Sequence, residues 1–452
     1  GVWAQNGIEL NAALNEVSGT FAAYSATGDI LFHSQESFLV GAISGGDCLP
    51  EVIGVTAGAG NITLSSGGLL NIGDGAGQDI RAVGNTVILR AAGIIENSGS
   101  IIEASQLGLE GTGSFSLTEA NQVGTLAASL DGSLNYRNAS SLTIGTVSSL
   151  SGISTSGQDV SLTSGGSLTL EEAIALGVGS LTLTAGGSVT QESAATLTAS
   201  GVRLQGEGSF ELESAGNDVQ VLAGDTLGSI AYRDANGLSV GTVDSVTGST
   251  SGVTTADSNL TVCLVTGDLL VVEDLSAGSA TIRLQTLGGS ILGTGRVTSN
   301  ALGLRAAGAA DSSISLTSPA NDVNILAATS SGLVHFADSD GFSVGSVAAL
   351  GCFNPGVVGI SALELCVETG DLVLAESISV SGTVRLTAET GSVVQTASGS
   401  ITSLDLGVWA QNGIELNAAL NEVSGTFAAY SATGDILFHS QESFLVGAIS
   451  GG

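Results

Sequence analysis

The sequence predicts an all-β chain wound as a parallel β-helix, a β-solenoid, and three observations carry that reading. Hydropathy alternates with a period of two: VSLTSGGSLTL from Val160 and ATIRLQTLGGSIL from Ala280 alternate apolar and polar residues, then break at glycine pairs. That is the pattern of short strands ended by bends. The apolar positions carry small aliphatics, with aromatics only 4% of the chain, so the aromatic filling of a sandwich core is missing. Finally, repeated units differ in length by up to ten residues yet keep their columns, as stacked coils with loops at their corners can.

Periodicity sets the domain organisation. Residues 407–452 are identical to residues 1–46. Inside this 406-residue period lies a weaker one, anchored by IELNAALNEV at Ile8, FSLTEANQV at Phe115, FELESAGNDV at Phe210, ISLTSPANDV at Ile314 and IELNAALNEV again at Ile414. The anchor asparagines Asn15, Asn121, Asn217, Asn321 and Asn421 are spaced by 106, 96, 104 and 100 residues. Four diverged units follow, 1–114, 115–209, 210–313 and 314–406, and residues 407–452 open the next period.

Each unit unfolds in the same order. After the anchor comes an aromatic: Phe32, Tyr136, Tyr232, Phe336 or Phe438. Eight residues later lies a Val-Gly or Ile-Gly step, as in FLVGAI, LTIGTV, LSVGTV and FSVGSV. Alternating strand pairs such as NITLSSGG and QDVSLTSGG close the unit. Helical spacing is nearly absent; EEAIAL at Glu171 is the best candidate and is short and uncapped. With coils of ~20–25 residues stacked ~4.8 Å apart, the 406-residue period predicts a rise on the order of 80–95 Å.

Composition narrows the partners. Against 42 acids stand nine basic residues, all arginine, for a formal net charge of −33. So negative a coat argues against nucleic acid and anionic membrane surfaces, both of which need clustered cations. Charged residues make up only 11% of the chain, which argues equally against disorder. Without lysine no Lys–Asn isopeptide staple can form. No apolar run approaches the ~18 residues of a membrane span. No initiator methionine or basic leader is visible, so Gly1 reads as the start of an excerpt or a processed chain.

The succession ANDV, then L-x-Y/F, then L-x-V-G-x-V, then D-V-x-L-T-x-G-G-x-L resembles the repeats of large bacterial exoproteins of the filamentous-haemagglutinin type. The resemblance covers essentially the whole chain. It implies a right-handed parallel β-helix, secretion, and an extracellular or cell-surface life as an adhesin or fibre, and it brings no catalytic residues. The family's amino-terminal secretion domain is absent from this sequence, so the secretion route is unsupported.

Candidate chemistry is sparse. Gly237–Gly241 and Gly341–Gly345 match the GxSxG elbow, but equivalent columns carry Thr143 and Leu39 and no helix follows. His33, its copy His439, and His335 share no column, and no cysteine or histidine cluster surrounds them in sequence. The segment Gly73–Asp79, GDGAGQD, is a faint glycine-aspartate calcium turn that lacks the nine-residue recurrence of a built site. No cofactor is expected beyond weak Ca²⁺ association with the acidic coat. Sequons at Asn61, Asn138 and Asn259 matter only where the source glycosylates. The column of Trp3 and Trp409 reads as packing rather than a sugar platform.

The four cysteines divide into two pairs. Cys263 and Cys366 occupy one strand position in successive units, too far apart along a stack to bond. Cys352 and Cys366, fourteen residues apart, are expected to bridge a loop to the next coil. Cys48 and Cys263 are then left as buried thiols or cross-links between rods. The functional expectation is a structural fibre: a tandem rod whose partners are further copies end to end, with lateral rod contacts and an unidentified glycan or host-surface ligand as additional partners. The alternative is a carbohydrate-binding or carbohydrate-cleaving β-helix, disfavoured because acids are scattered and lysine is absent.

Overall fold

The computed structural model describes residues 1–75, 77–308, 311–355 and 360–449. Among them every regular element is a strand, and parallel strands stack as a β-solenoid of about 20 turns. Even the helix candidate at Glu171 contributes a short strand, Ile174–Ala175. The residues form two compact units, one of residues 1–219 with 243–250, the other of 220–242 with 251–452.

In the first unit Ile8, Ile30, Ile62, Val87, Leu107 and Leu126 stack one above another in register, at steps of 22, 32, 25, 20 and 19 residues. The second repeats the arrangement with Leu260, Ile282, Leu302, Leu326, Val344 and Leu374, at steps of 22, 20, 24, 18 and 30. Alternation explains the result. Inward side chains form aliphatic rows that are buried, Val344 only in part, while outward Thr, Ser and Asn face the solvent. Parallel pairing lets each coil satisfy its backbone groups on the coils above and below. The long steps, 32 and 30, are those that contain a Val-Gly step and the loop after it.

Two polar columns run through this apolar interior. The anchor asparagines Asn121, Asn217, Asn321 and Asn421 are completely buried. Each ties coils together: Asn321 Oδ1 accepts the N–H of Val297 at 2.8 Å, while its Nδ2 donates to Leu316 O at 3.2 Å and Ala337 O at 2.9 Å. One carboxamide therefore spans three successive coils. Asn121 does the same with Ile102 N, Leu117 O and Arg137 O. The second column sits two residues beyond the aromatic. Asn138 Oδ1 accepts Val123 N–H at 2.9 Å, and Asp338 Oδ2 accepts Val323 N–H at 3.1 Å. The aromatics point into the core, where the Tyr136 hydroxyl bonds Asn138 and that of Tyr232 bonds Asp234 at 2.9 Å.

Outside, arginines bridge acids in neighbouring coils: Arg81 reaches Glu103 at 2.6 Å and Arg90 reaches Glu110 at 2.8 Å. Both pairs face each other in register, and both are half exposed, so each contributes little to stability.

Candidate functional site

The Val-Gly step, a landmark in sequence, is the base of a flap that leaves the solenoid. At Gly41 a hairpin pairs Ala42–Ile43 with Val52–Ile53; at Gly145 another pairs Thr146–Val147 with Leu150–Ser151. The third contains strands Thr242–Ser245 and Gly248–Ser251, and the fourth is closed by an antiparallel bridge between Leu350 and Phe353. Glycines pinch the base. Gly54 donates its N–H to Gly41 O at 2.8 Å, Gly152 to Gly145 O at 2.9 Å, and Gly252 to Gly241 O at 2.9 Å. The returning glycines have φ of 68°, 66° and 72°, which side chains other than glycine rarely adopt.

Every flap folds back onto the outward surface of earlier coils and makes a small external core there. Val147 and Leu150 pack on Ile88 and Ala127, over Gly108. Val347 and Phe353 pack on Cys263 and Ala301, over Gly303. Ile43 and Leu49 close on Gly1, and Ile449 approaches Gly407. The glycine makes room: a Cβ on Gly303 would lie 2.9 Å from both Phe353 and Val347. In the third flap Arg203 stands in the column where the others have glycine; Val243 docks instead over Gly201, and polar contacts join it. Arg203 Nε donates to Thr250 Oγ1 at 2.7 Å and its Nη1 to Thr247 at 3.3 Å, beside a Thr182–Ser245 hydroxyl pair at 2.9 Å.

The fourth flap is the most firmly latched. Arg283 Nε donates to Ala348 O at 2.9 Å, Gln285 Nε2 to Cys352 O at 3.0 Å, and Arg305 Nη1 to Asn354 O at 3.0 Å. A disulfide joins Cys352 to Cys263, with Cα atoms 6.2 Å apart and a sequence separation of 89. This corrects the expected Cys352–Cys366 bridge. The loop after the Val-Gly step runs backward over preceding coils rather than forward, so Cys352 meets the strand Leu260–Leu264 and Cys366 stays a thiol. Cys263 is likewise not a cross-link between rods; it is buried inside the external core. Cys48 is an exposed free thiol.

The remaining candidates fall into place around these flaps. Ser239 and Ser343 of the GxSxG matches lie in strands that enter flap-opening glycines. His33 meets Ser65 at 3.1 Å across the ladder. Register brings His335 opposite Glu364, and with Cys366 they place three potential metal-ligand atoms within 4.8 Å of one another. Sequence spacing hid this trio, because His335 lies 29 and 31 residues from the other two. Burial pushes the Cys366 thiol up from its ordinary pKa, and Glu364 and Glu389 add to the shift. In the glycine-aspartate segment Asp79 accepts Ile101 N–H at 3.0 Å and approaches Arg81 at 3.5 Å; Ala76 lies outside the described residues. Asn138 is buried with its amide spent on three carbonyls, so that sequon is closed to modification. Trp3 is half exposed and stacks on Tyr24 at 6.0 Å, and Trp409 stacks on Tyr430 at 6.2 Å; neither indole enters the core.

Fold and flaps together define a repetitive β-solenoid protein with one outward flap per repeat. A family profile described as repeats of unknown function (DUF5649) matches residues 157–224, the closing strands of the second repeat and the anchor of the third. No curated protein and no solved structure matches the chain.

Proposed function

We propose that the protein is a length-setting structural rod, a tandem β-solenoid segment of a bacterial surface filament or adhesin stalk of the filamentous-haemagglutinin type, wound right-handed. One observation carries the reading. The strand that opens the second period seats on the coil before it, with Arg385 opposite Gly407, Leu386 opposite Val408 and Thr387 opposite Trp409. Its onward pairing then reproduces the chain's own start: Val408 stacks on Ala429 as Val2 does on Ala23, and Ile414 on Ile436 as Ile8 does on Ile30. The last coil of a period thus accepts the first strand of the next, and the ladder is extensible by duplication. Nearest-neighbour stacking makes each added period as stable as the one before.

Arrays of one, two and three copies of the 406-residue period test this by electron microscopy. Contour length should grow by roughly 80–95 Å per copy, from a coil spacing of ~4.8 Å. Particles that broaden without lengthening would overturn the reading. The stacked Trp3–Tyr24 and Trp409–Tyr430 pairs favour a second role, a sugar-binding face, since flat outward aromatics suit pyranose rings. Glycan-array binding that survives Trp3→Ala combined with Trp409→Ala would exclude them as that face.

A further inference from the structure

We infer that Cys48 and Cys366 are the two halves of a second disulfide, one that joins each 406-residue period to the next. The inference rests on the tandem reading above and on repeat equivalence with the bond already present. On the flap side, Cys352 stands seven residues after the flap-opening Gly345, and Cys48 stands seven after Gly41. The two flaps dock alike: Val347 and Phe353 close on Gly303, and Ile43 and Leu49, at the same offsets, close on Gly1. On the strand side, Gly303 lies opposite Arg283, which lies opposite Thr261, two residues before Cys263. Gly407 lies opposite Arg385, which lies opposite Glu364, two residues before Cys366. Cys366 therefore bears the same relation to Gly407 as Cys263 bears to Gly303.

Since Gly407 repeats Gly1, the flap that docks on it when the cycle continues is the Cys48 flap. Its first docking residue is already in place, with Ile449 3.6 Å from the position a Cβ on Gly407 would take. Continuing the sequence by two residues beyond the second copy of GAISGG brings the copied cysteine to the row of Cys366. Both thiols then give up their protons, the S–S bond forms, and two electrons pass to a low-molecular-weight disulfide oxidant that leaves as two thiols. The consequence is a covalent staple across every period boundary, alternating along the array with the Cys263–Cys352 staple inside the period.

The test is the full chain extended after Gly452 by a second copy of residues 47–114, carrying Cys48→Ser in the first copy, and oxidised with glutathione disulfide. Two readouts are taken: hydrogen-exchange protection of the appended strands, and non-reducing peptide mapping with the Cys263–Cys352 bond as internal standard. We expect protected appended strands, a cross-linked peptide joining Cys366 to the appended cysteine, and no alkylatable thiol. Cys366→Ser should leave one alkylatable thiol while the appended strands stay protected. Protected strands with Cys366 still fully alkylated would overturn the disulfide and leave the tandem reading standing. Unprotected appended strands would overturn both.

Discussion

Replacing Asn321 by alanine should weaken the second unit far more than its single side chain suggests. The carboxamide serves three coils, accepting from Val297 and donating to Leu316 and Ala337, in a position with no solvent exposure. Truncation leaves the Val297 N–H without an acceptor and takes a donor from two carbonyls. A buried polar group without a partner costs about 1–3 kcal/mol, so the three together amount to about 3–9 kcal/mol at most. Because stability in a solenoid is a sum of neighbour terms, the loss should be local. Native-state hydrogen exchange should show protection falling in the strands Val297–Ala306, Asp322–Ser330 and Leu333–Asp338, with the coils around Asn121 unchanged. Asn321→Asp sharpens the test, since it keeps the acceptor but turns an oxygen toward two carbonyls. Its folded pKa should stand above the unfolded value of ~3.9, so its stability should be greatest in acid and fall as pH rises. A loss below ~1 kcal/mol for Asn321→Ala would refute the idea that the anchor clamps coils together.

Burial pushes the Asp338 carboxyl up to about 8, with neighbouring Asp340 adding to the shift. Its folded value thus lies above its unfolded value, so its contribution is full in acid and is lost as pH rises from about 4 toward about 8. Asp338→Asn, which copies Asn138 in the same column, should flatten that slope in denaturation midpoints measured between pH 5 and 8; an unchanged slope would place the titration elsewhere. Gly303→Val should force Phe353 and Val347 off the surface at a cost of about 1–3 kcal/mol, seen as faster proteolysis within residues 346–355. Arg203→Ala should release the 242–251 flap to protease while the aliphatic rows beneath keep their exchange protection; equal cleavage in both proteins would show that the hydroxyl contacts do not hold it.

Fold class was legible because the period-two alternation and the repeated columns are both local signals, and neither depends on which coil lies next to which. Everything that depends on register was hidden. Val147 meets Gly108 across 39 residues, and nothing nearby in sequence announces the contact. A signal did exist: an apolar residue stands two positions after every Val-Gly glycine, at Ile43, Val147, Val243, Val347 and Ile449. Its docking glycine interrupts a leucine pair, as in Leu107-Gly108-Leu109 and Leu302-Gly303-Leu304. The cysteine pairing failed for the same reason, since fourteen residues looked like the short path and the backward fold of the flap made 89 the true one. The anchor asparagine was visible as a landmark, but its purpose needs three coils at once. His335 likewise lies on a different strand from Glu364 and Cys366 until the ladder aligns them.

The glycine pinch at the flap base has a consequence for how such chains diversify. Between Gly41 and Gly54, Gly145 and Gly152, and Gly241 and Gly252 the intervening length differs nearly twofold, yet the closing hydrogen bond stays at 2.8–2.9 Å. Whatever is threaded between the two glycines leaves the solenoid and re-enters it at the same point, so the winding beneath does not register how much was inserted. Each of these three repeats thus offers a socket of constant width on the outward surface. New surface chemistry can be grafted there at regular intervals, while the length and the stacking of the shaft stay as they are.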